Sequence, residues 1–421
     1  MNLQEFRRIG HLPTLLCAFL HFDISFMIWV LVGALANAIV VDFPLSSLEK
    51  GLLVGTPILG GAILRLVLGL LADRLGARRT GMIGMVLTIL PLMMGWLWAD
   101  SFGEILVVGL LLGVAGASFA VALPLASRWY GPEQQGLALG IVAAGNTGTA
   151  LATLFGPWLA EQFGWHAVFG LALVPLSIVL GLFALFAKDS PNQPPPKSLS
   201  DYLEVLRLRD TWYLCLFYAV TFGGFVGLAS FLSIYFHDHY GLSSVQAGAL
   251  VALCVVAGSF LRPVGGYLAD RVGGISLLTI LYVAASIILL DLATSPPMIW
   301  SMVLFVTLMG LLGLGNGAVF QLVPQRFPKE IGVITGVVGA TGGLGGFFLP
   351  ALLGGVHQLL GSYSVGFFLI AVIAFGCVVP LFHISNAWNG IFITKEGRAA
   401  KASHPAPTPE FEPEMAGGRL R

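Results

Sequence analysis

Apolar residues run along this chain in long, nearly unbroken blocks separated by short polar interruptions. A helix needs about 20 mostly apolar residues to cross ~30 Å of hydrocarbon. Twelve blocks meet that length, at roughly 12–34, 48–72, 80–98, 103–127, 136–160, 165–187, 211–236, 245–269, 275–294, 297–324, 331–355 and 364–386. The interruptions are short except at 188–210, which is Pro-rich and then amphipathic. That segment reads as a cytoplasmic linker between two six-helix bundles, 1–187 and 211–390. The tail 391–421 is rich in Pro, Ala and Glu and is expected to be a disordered cytoplasmic extension. The expected fold is an all-α membrane protein with twelve transmembrane helices in two pseudo-symmetric halves. The first apolar block is too long for a cleavable leader, and no small-residue cleavage site follows it.

Composition agrees. Hydrophobic residues make up 57% and charged residues 10% of 421 positions, against about 25% charged in soluble domains. Mean hydropathy is +0.89. Such a chain cannot cover itself with a water-facing surface, which excludes most soluble enzymes. Lys+Arg and Asp+Glu both total 21, so net charge offers nothing to nucleic acid. Cys17, Cys215, Cys254 and Cys377 lie far apart in apolar stretches, without the spacing of a metal site, and read as inert buried thiols. No nucleophile–base pair or metal cluster stands in the spans. No enzymatic activity, cofactor or metal is expected.

The cations orient the chain. With the N-terminus inside, Lys50 is the one cation outside, Arg65 and Arg262 fall within the membrane, and every other one of the 21 Lys and Arg falls inside. That bias places both termini in the cytoplasm.

The chain also repeats itself. Span 2 reads AILRLVLGLLADRLG from Ala62, and span 8 reads SFLRPVGGYLADRVG from Ser259. Span 5 carries GIVAAGNTGTALATLFGP from Gly140, and span 11 carries GVVGATGGLGGFFLP from Gly336. Phe119 and Phe320 correspond in spans 4 and 10. Repeats of this kind bind substrate at their interface near the membrane midplane and rock about it. Asp73 and Asp270 are the acids of the two Ala-Asp-Arg copies, each at a helix end beside the next Arg. With Arg74, Arg78 and Arg271 they read as conformational latches rather than ligands.

Arg65 and Arg262 sit too deep to reach either surface. A central Arg costs at least about 2.5–3.5 kcal/mol, so each should face a polar cavity and find a partner. Related by the repeat, they would meet across that cavity and present two planar forks. Guanidinium binds a small planar oxyanion bidentately. Asp23 is the one deep acid, so two Arg cannot both be neutralised by protein. Asp23 has three readings: a protonation switch, a permanent partner for one Arg, or a residue at a polar kink. His21 lies nearby but two residues away, on a different face; it reads first as hydrogen-bonded structure. In spans 5 and 11, Gly145, Gly148, Gly339, Gly342 and Gly343 make flat faces for close packing. Asn146, whose amide needs a partner in hydrocarbon, could donate to an oxyanion.

Read together, these strings resemble the nitrate/nitrite porter family of the major facilitator superfamily. GLLADRLGARR (Gly69 to Arg79) and its shorter copy GGYLADRVGG (Gly265 to Gly274) resemble the superfamily's loop signature. GGAILR around Arg65, SFLRPVGG around Arg262, AAGNTGTA in span 5 and GVVGATGGLGG in span 11 resemble the narrower family's motifs. The resemblance implies a bacterial inner-membrane carrier for nitrate or nitrite. A monomer is expected. It implies that Arg65 and Arg262 clamp the anion, Asn146 and Tyr218 hydrogen-bond it, and Phe119 and Phe320 sandwich it. HFDISFMIW in span 1 is similar to the proton-coupled symporter branch, with Asp23 as the coupling acid and protons as co-substrate. Nitrate/nitrite exchange is the alternative, as is carriage of another small anion such as a carboxylate, which two Arg would also fit. A sensor built on a dead carrier is disfavoured because both Arg are present.

Overall fold

A computed structural model describes residues 10–130, 132–191, 199–327 and 331–389. Arg7, Arg8, Lys197, Lys329 and the tail 391–421 lie outside the described residues. Among the described residues, twelve helices are long and apolar enough to cross a membrane. They are α1 (Leu12–Asp42), α2 (Ser47–Leu75), α3 (Ala77–Leu97), α4 (Phe102–Ser127), α5 (Ala138–Phe163), α6 (Trp165–Phe186), α7 (Arg209–Tyr240), α8 (Ser244–Val272), α9 (Gly274–Leu292), α10 (Met298–Arg326), α11 (Gly332–Leu360) and α12 (Ser364–Trp388). A short connecting helix, Leu199–Leu206, precedes α7.

The repeat is visible in local structure. Both α2 and α8 open with a capping box, Ser46 with Glu49 and Ser243 with Gln246, in which side chain and backbone satisfy each other's donors. Both stop at a glycine with positive φ, Gly76 at 89° and Gly273 at 91°, a conformation that other residues adopt only under strain. Arg65 and Arg262 stand at the same register from their capping serines.

Burial sorts the helices into inner and outer sets. The most apolar windows of α1 and α7 are 78% and 83% buried, those of α6 and α12 only 33% and 39%. Outer faces present bare apolar side chains, such as Leu185, Ile299 and Val379, as a lipid-facing surface does.

The inner helices of the N-terminal half are broken at mid-depth. α1 is interrupted at Val30. α4 is interrupted at Ala117–Ser118, and α5 narrows to a 3-10 turn at Ala144–Thr147. The counterparts α7, α10 and α11 run unbroken. Irregular backbone at such depth persists where it is buried in protein or lines a cavity.

Call the end holding Leu12 proximal and the other distal. At the distal end the two halves are tied together. Lys50 pairs with Asp238 at 2.7 Å, Ser47 Oγ lies 2.8 Å from His357 Nδ1, and Leu48 N–H donates to Gln358. Deeper in, Asn37 donates to the Ser233 carbonyl at 3.1 Å. At the proximal end, the ion pairs Arg128–Asp73 and Arg326–Asp210 each stay within one half. The conformation is thus sealed distally.

Candidate functional site

The site is built around Phe119, the first residue after the break in α4. The Arg65 guanidinium lies 5.2 Å from the Phe119 ring centre and the Arg262 guanidinium 5.4 Å from it. Arg65 comes from the N-terminal half and Arg262 from the C-terminal half. Both are buried, at 0% and 6% exposed. Cation–π contact is worth about 2 kcal/mol or more when desolvated, which offsets part of the cost of holding charge here.

The break in α4 also gives Arg65 an acceptor. The Ala120 N–H turns to the Ala117 carbonyl at 3.0 Å, so it no longer engages Gly116, four residues back. The Gly116 carbonyl instead accepts from Arg65 Nη2 at 2.9 Å. The other terminal nitrogen, Nη1, donates to the Gly339 carbonyl on α11 at 2.6 Å. Among the described residues, Arg65 Nε has no hydrogen-bond partner, and neither does Arg262 Nη1. Both atoms are buried donors.

Arg262 Nη2 donates to Tyr218 Oη at 3.2 Å. Tyr218 packs edge-on against Phe320 (4.9 Å) and parallel to Phe222 (5.0 Å). Phe320 meets Phe119 at 5.8 Å across the two halves. Five of the residues singled out in the sequence, Arg65, Arg262, Tyr218, Phe119 and Phe320, are thereby brought into one cluster. Among the described residues, no acid lies within ion-pairing distance of either arginine.

The α11 glycines set this geometry by close approach. A Cβ on Gly342 would meet Tyr218 Cδ1 at 2.5 Å and Phe222 Cδ1 at 3.0 Å, and one on Gly339 would meet Arg65 Cδ at 3.1 Å. Gly343 packs on Ala62 of α2, where an added Cβ would lie 2.8 Å from the Ala62 Cβ. Gly145 and Gly148 do the equivalent for α1, against Phe22 and the Asp23 backbone.

Asn146 lies in the 3-10 turn, 1% exposed, with its Oδ1 unpartnered among the described residues. Asp23 is 7% exposed, and its Oδ1 accepts from Thr147 Oγ1 at 2.9 Å. It is packed on α5 rather than paired with either arginine.

The latch residues lie apart from this cluster, at the proximal end. Asp73 pairs with Arg128, just past the end of α4, at 2.8 Å, not with the adjacent Arg74. The Arg78 backbone N–H donates to Asp189 at 2.9 Å, and its Nη2 to the Ala184 carbonyl at 2.6 Å. Arg74 and Arg78 line a cavity of about 520 Å³ with Arg79 and Lys188. Asp270 is exposed, and Arg271 stacks 4.5 Å over Tyr267. Nearby, burial and the Lys188 charge hold the His11 imidazole below its usual value.

Sequence reasoning missed Trp29 and Phe222, whose rings lie 5.8 and 5.4 Å from the Arg65 guanidinium. Phe222 follows Tyr218 by one helical turn, a spacing that puts both on one face. It also missed Thr147 and the distal pair Lys50–Asp238.

Known proteins bear on this geometry. Residues 15–350 match the family model of the Major Facilitator Superfamily. A nitrite extrusion protein of Bacillus subtilis is 34% identical, over 84% of this chain and 90% of its own. A probable nitrate/nitrite transporter, NarK2, of Mycobacterium tuberculosis is 37% identical over 86% and 93%. A probable nitrate/nitrite antiporter, NarK1, of Thermus thermophilus is 33% identical over 88% and 90%. Among solved structures, a bacterial homologue of the human lysosomal transporter Spinster, in an inward-facing and occupied conformation, superposes with a TM-score of 0.66. It is 20% identical and covers 92% of this chain and 98% of that one. That likeness carries the fold.

Proposed function

The chain belongs to the nitrate/nitrite porter family of the major facilitator superfamily, and from that premise we propose that it carries nitrate or nitrite across the bacterial cytoplasmic membrane, binding the anion between Arg65 and Arg262. It is a multi-pass carrier and not an enzyme. The observation that carries the reading is two buried guanidinium groups, one from each half, on a shared aromatic ring, with no acid among the described residues in ion-pairing distance. Two such charges in hydrocarbon favour a bound monoanion. The unpartnered Arg65 Nε and Arg262 Nη1 are donors for its oxygens. Tyr218 already accepts from Arg262, which leaves its own hydroxyl proton for the anion. Phe119 and Phe320 form apolar walls that strip water from the ion, and their electropositive ring edges suit its oxygens. The Asn146 amide adds a further donor.

With both termini cytoplasmic, the distal seal faces outward, and this conformation is closed to the outside. Transport then requires breaking Lys50–Asp238, with Asp73, Arg74, Arg78, Asp270 and Arg271 acting as latches at the proximal end. Asp23 carries the coupling proton. Its freedom from ion pairing with Arg65 and Arg262 supports a titrating role over a permanent salt bridge. Exchange is the second reading, favoured by the antiporter name of the Thermus relative.

Counterflow of labelled nitrate in proteoliposomes, with and without a pH gradient, tests both. A symporter accumulates nitrate when the gradient is imposed. Asp23→Asn then keeps exchange and loses accumulation. Accumulation retained in Asp23→Asn removes Asp23 from the coupling, and wild-type exchange that ignores the gradient favours the antiporter.

A further inference from the structure

Thr147 is placed between the acid on α1 and the 3-10 turn of α5 that carries Asn146. Its hydroxyl oxygen lies 2.9 Å from Asp23 Oδ1 and 2.8 Å from the Ala144 carbonyl. A threonine hydroxyl has one proton and so can serve only one of these acceptors at a time. With Asp23 ionised, the carboxylate takes that proton, because charge-assisted hydrogen bonds are about twice as strong as neutral ones. The Ala144 carbonyl is then left without it. With Asp23 protonated, the carboxyl group becomes the donor to Thr147 Oγ1, and the Thr147 proton turns to Ala144. One proton added to Asp23 reverses one hydrogen bond and makes another, with no heavy atom displaced.

Both ends of that exchange bear on the turn that holds Asn146, which the proposed function makes an anion ligand. Ala144 opens the turn, and Asn146 lies within it with a buried, unpartnered Oδ1. The lower half of α5 starts afresh at Gly148, and its N-cap Thr147 gives it no side-chain cap. Through its bond to Thr147, the N-cap, the Asp23 carboxylate sits at this helix N-terminus, where negative charge is favoured. Protonating Asp23 withdraws the negative charge from this terminus, in the same turn that offers Asn146.

We propose that Thr147 is the positioning residue through which protonation of Asp23 is transmitted to the Asn146 turn, so that the anion binds more tightly when Asp23 holds a proton. This rests on the reading of Asp23 as the coupling acid and supplies its route. The groups that could compete are few. His21, on the same helix, packs against Phe183 of α6 and lies 3.4 Å from Ser25. Arg65 of α2 and Arg262 of α8 form no ion pair with Asp23. Residues 138–160 of α5 include no titratable side chain. α4 and α6 carry Glu104 and His166 in their distal first turns.

The test is nitrate affinity against pH, by calorimetry on purified carrier, in wild type, Thr147→Val, Thr147→Ser and Asp23→Asn. Proton uptake on adding nitrate in weak buffer is a second readout. One linked proton tightens wild-type binding by up to about tenfold per pH unit on acidification. Thr147→Val is expected to bind nitrate with under about threefold change across the range and to lose most proton uptake. Thr147→Ser is expected to restore both. Asp23→Asn is expected to be flat. A flat Asp23→Asn with a wild-type slope in Thr147→Val overturns the Thr147 route and leaves the coupling acid standing. A wild-type slope in Asp23→Asn overturns the coupling reading itself. If Thr147→Val does not fold, Thr147→Ala, which also lacks the hydroxyl, takes its place with the same expected outcomes.

Discussion

Removing the distal ion pair should open the carrier at that end. Lys50 and Asp238 meet at 2.7 Å with side chains 17% and 19% exposed, and they join α2 of one half to α7 of the other. An exposed pair is worth up to about 1 kcal/mol, and limited exposure puts this one at the upper end. The pair exists only while the distal end is closed, so its loss acts on the conformational equilibrium in full. Lys50→Gln should therefore raise the ratio of distal-open to distal-closed carrier about fivefold, since 1.4 kcal/mol is a factor of ten. Removing the Ser47–His357 contact as well, about 1 kcal/mol more, brings the shift to about thirtyfold. Double electron–electron resonance reads this directly. Val41 and Leu359, 82% and 83% exposed, sit at the distal ends of α1 and α11, in opposite halves. The four native cysteines are buried, so labels on Val41→Cys and Leu359→Cys report alone. Asp238→Asn should match Lys50→Gln, the double variant should add nothing further, and the swap Lys50→Asp with Asp238→Lys should restore the wild-type distribution. Unchanged distances in Lys50→Gln, or a swap that opens the carrier further, would refute the reasoning.

Asn146→Ala should weaken nitrate binding by about 1.5–3 kcal/mol, the scale of one hydrogen bond to a charged group, measured by calorimetry; unchanged affinity would assign Asn146 to packing. Gly342→Ala should push Tyr218 off Arg262, because its Cβ would meet Tyr218 Cδ1 at 2.5 Å, and nitrate affinity should fall at least about tenfold, against no change for Gly140→Ala, where no other atom lies within 4 Å of an added Cβ. Asp73→Asn breaks the pair with Arg128 at 2.8 Å and should slow uptake severalfold with anion affinity intact; lowered affinity at normal rates would contradict a latch.

The spans were legible because hydrocarbon imposes a length on every helix, and the arginine pair because a charge inside an apolar block has no bland explanation. Ends were less legible. α1 runs to Asp42 rather than 34, since Asn37, which looks like a terminating polar residue, is satisfied by Ser233 of the other half. Trp29 and Phe222 were hidden because an aromatic in a membrane span is by default core. Asp23 was readable as a deep acid, but its bond to Thr147 was not, because it depends on the local break in α5. The break itself has only its glycines as a signal, and glycine is abundant throughout this chain. The distal seal joins residues 188 positions apart, a pairing that no local pattern encodes.

Whether both guanidinium forks hold the anion is read by nitrate titration calorimetry on wild type, Arg65→Lys and Arg262→Lys. Lysine keeps the charge and loses the planar fork, so at least one charge-assisted hydrogen bond is lost, worth about 1.5–3 kcal/mol. The account predicts one bound nitrate per wild-type carrier and affinity at least about tenfold weaker in each folded Lys variant. Wild-type affinity in either variant would contradict it.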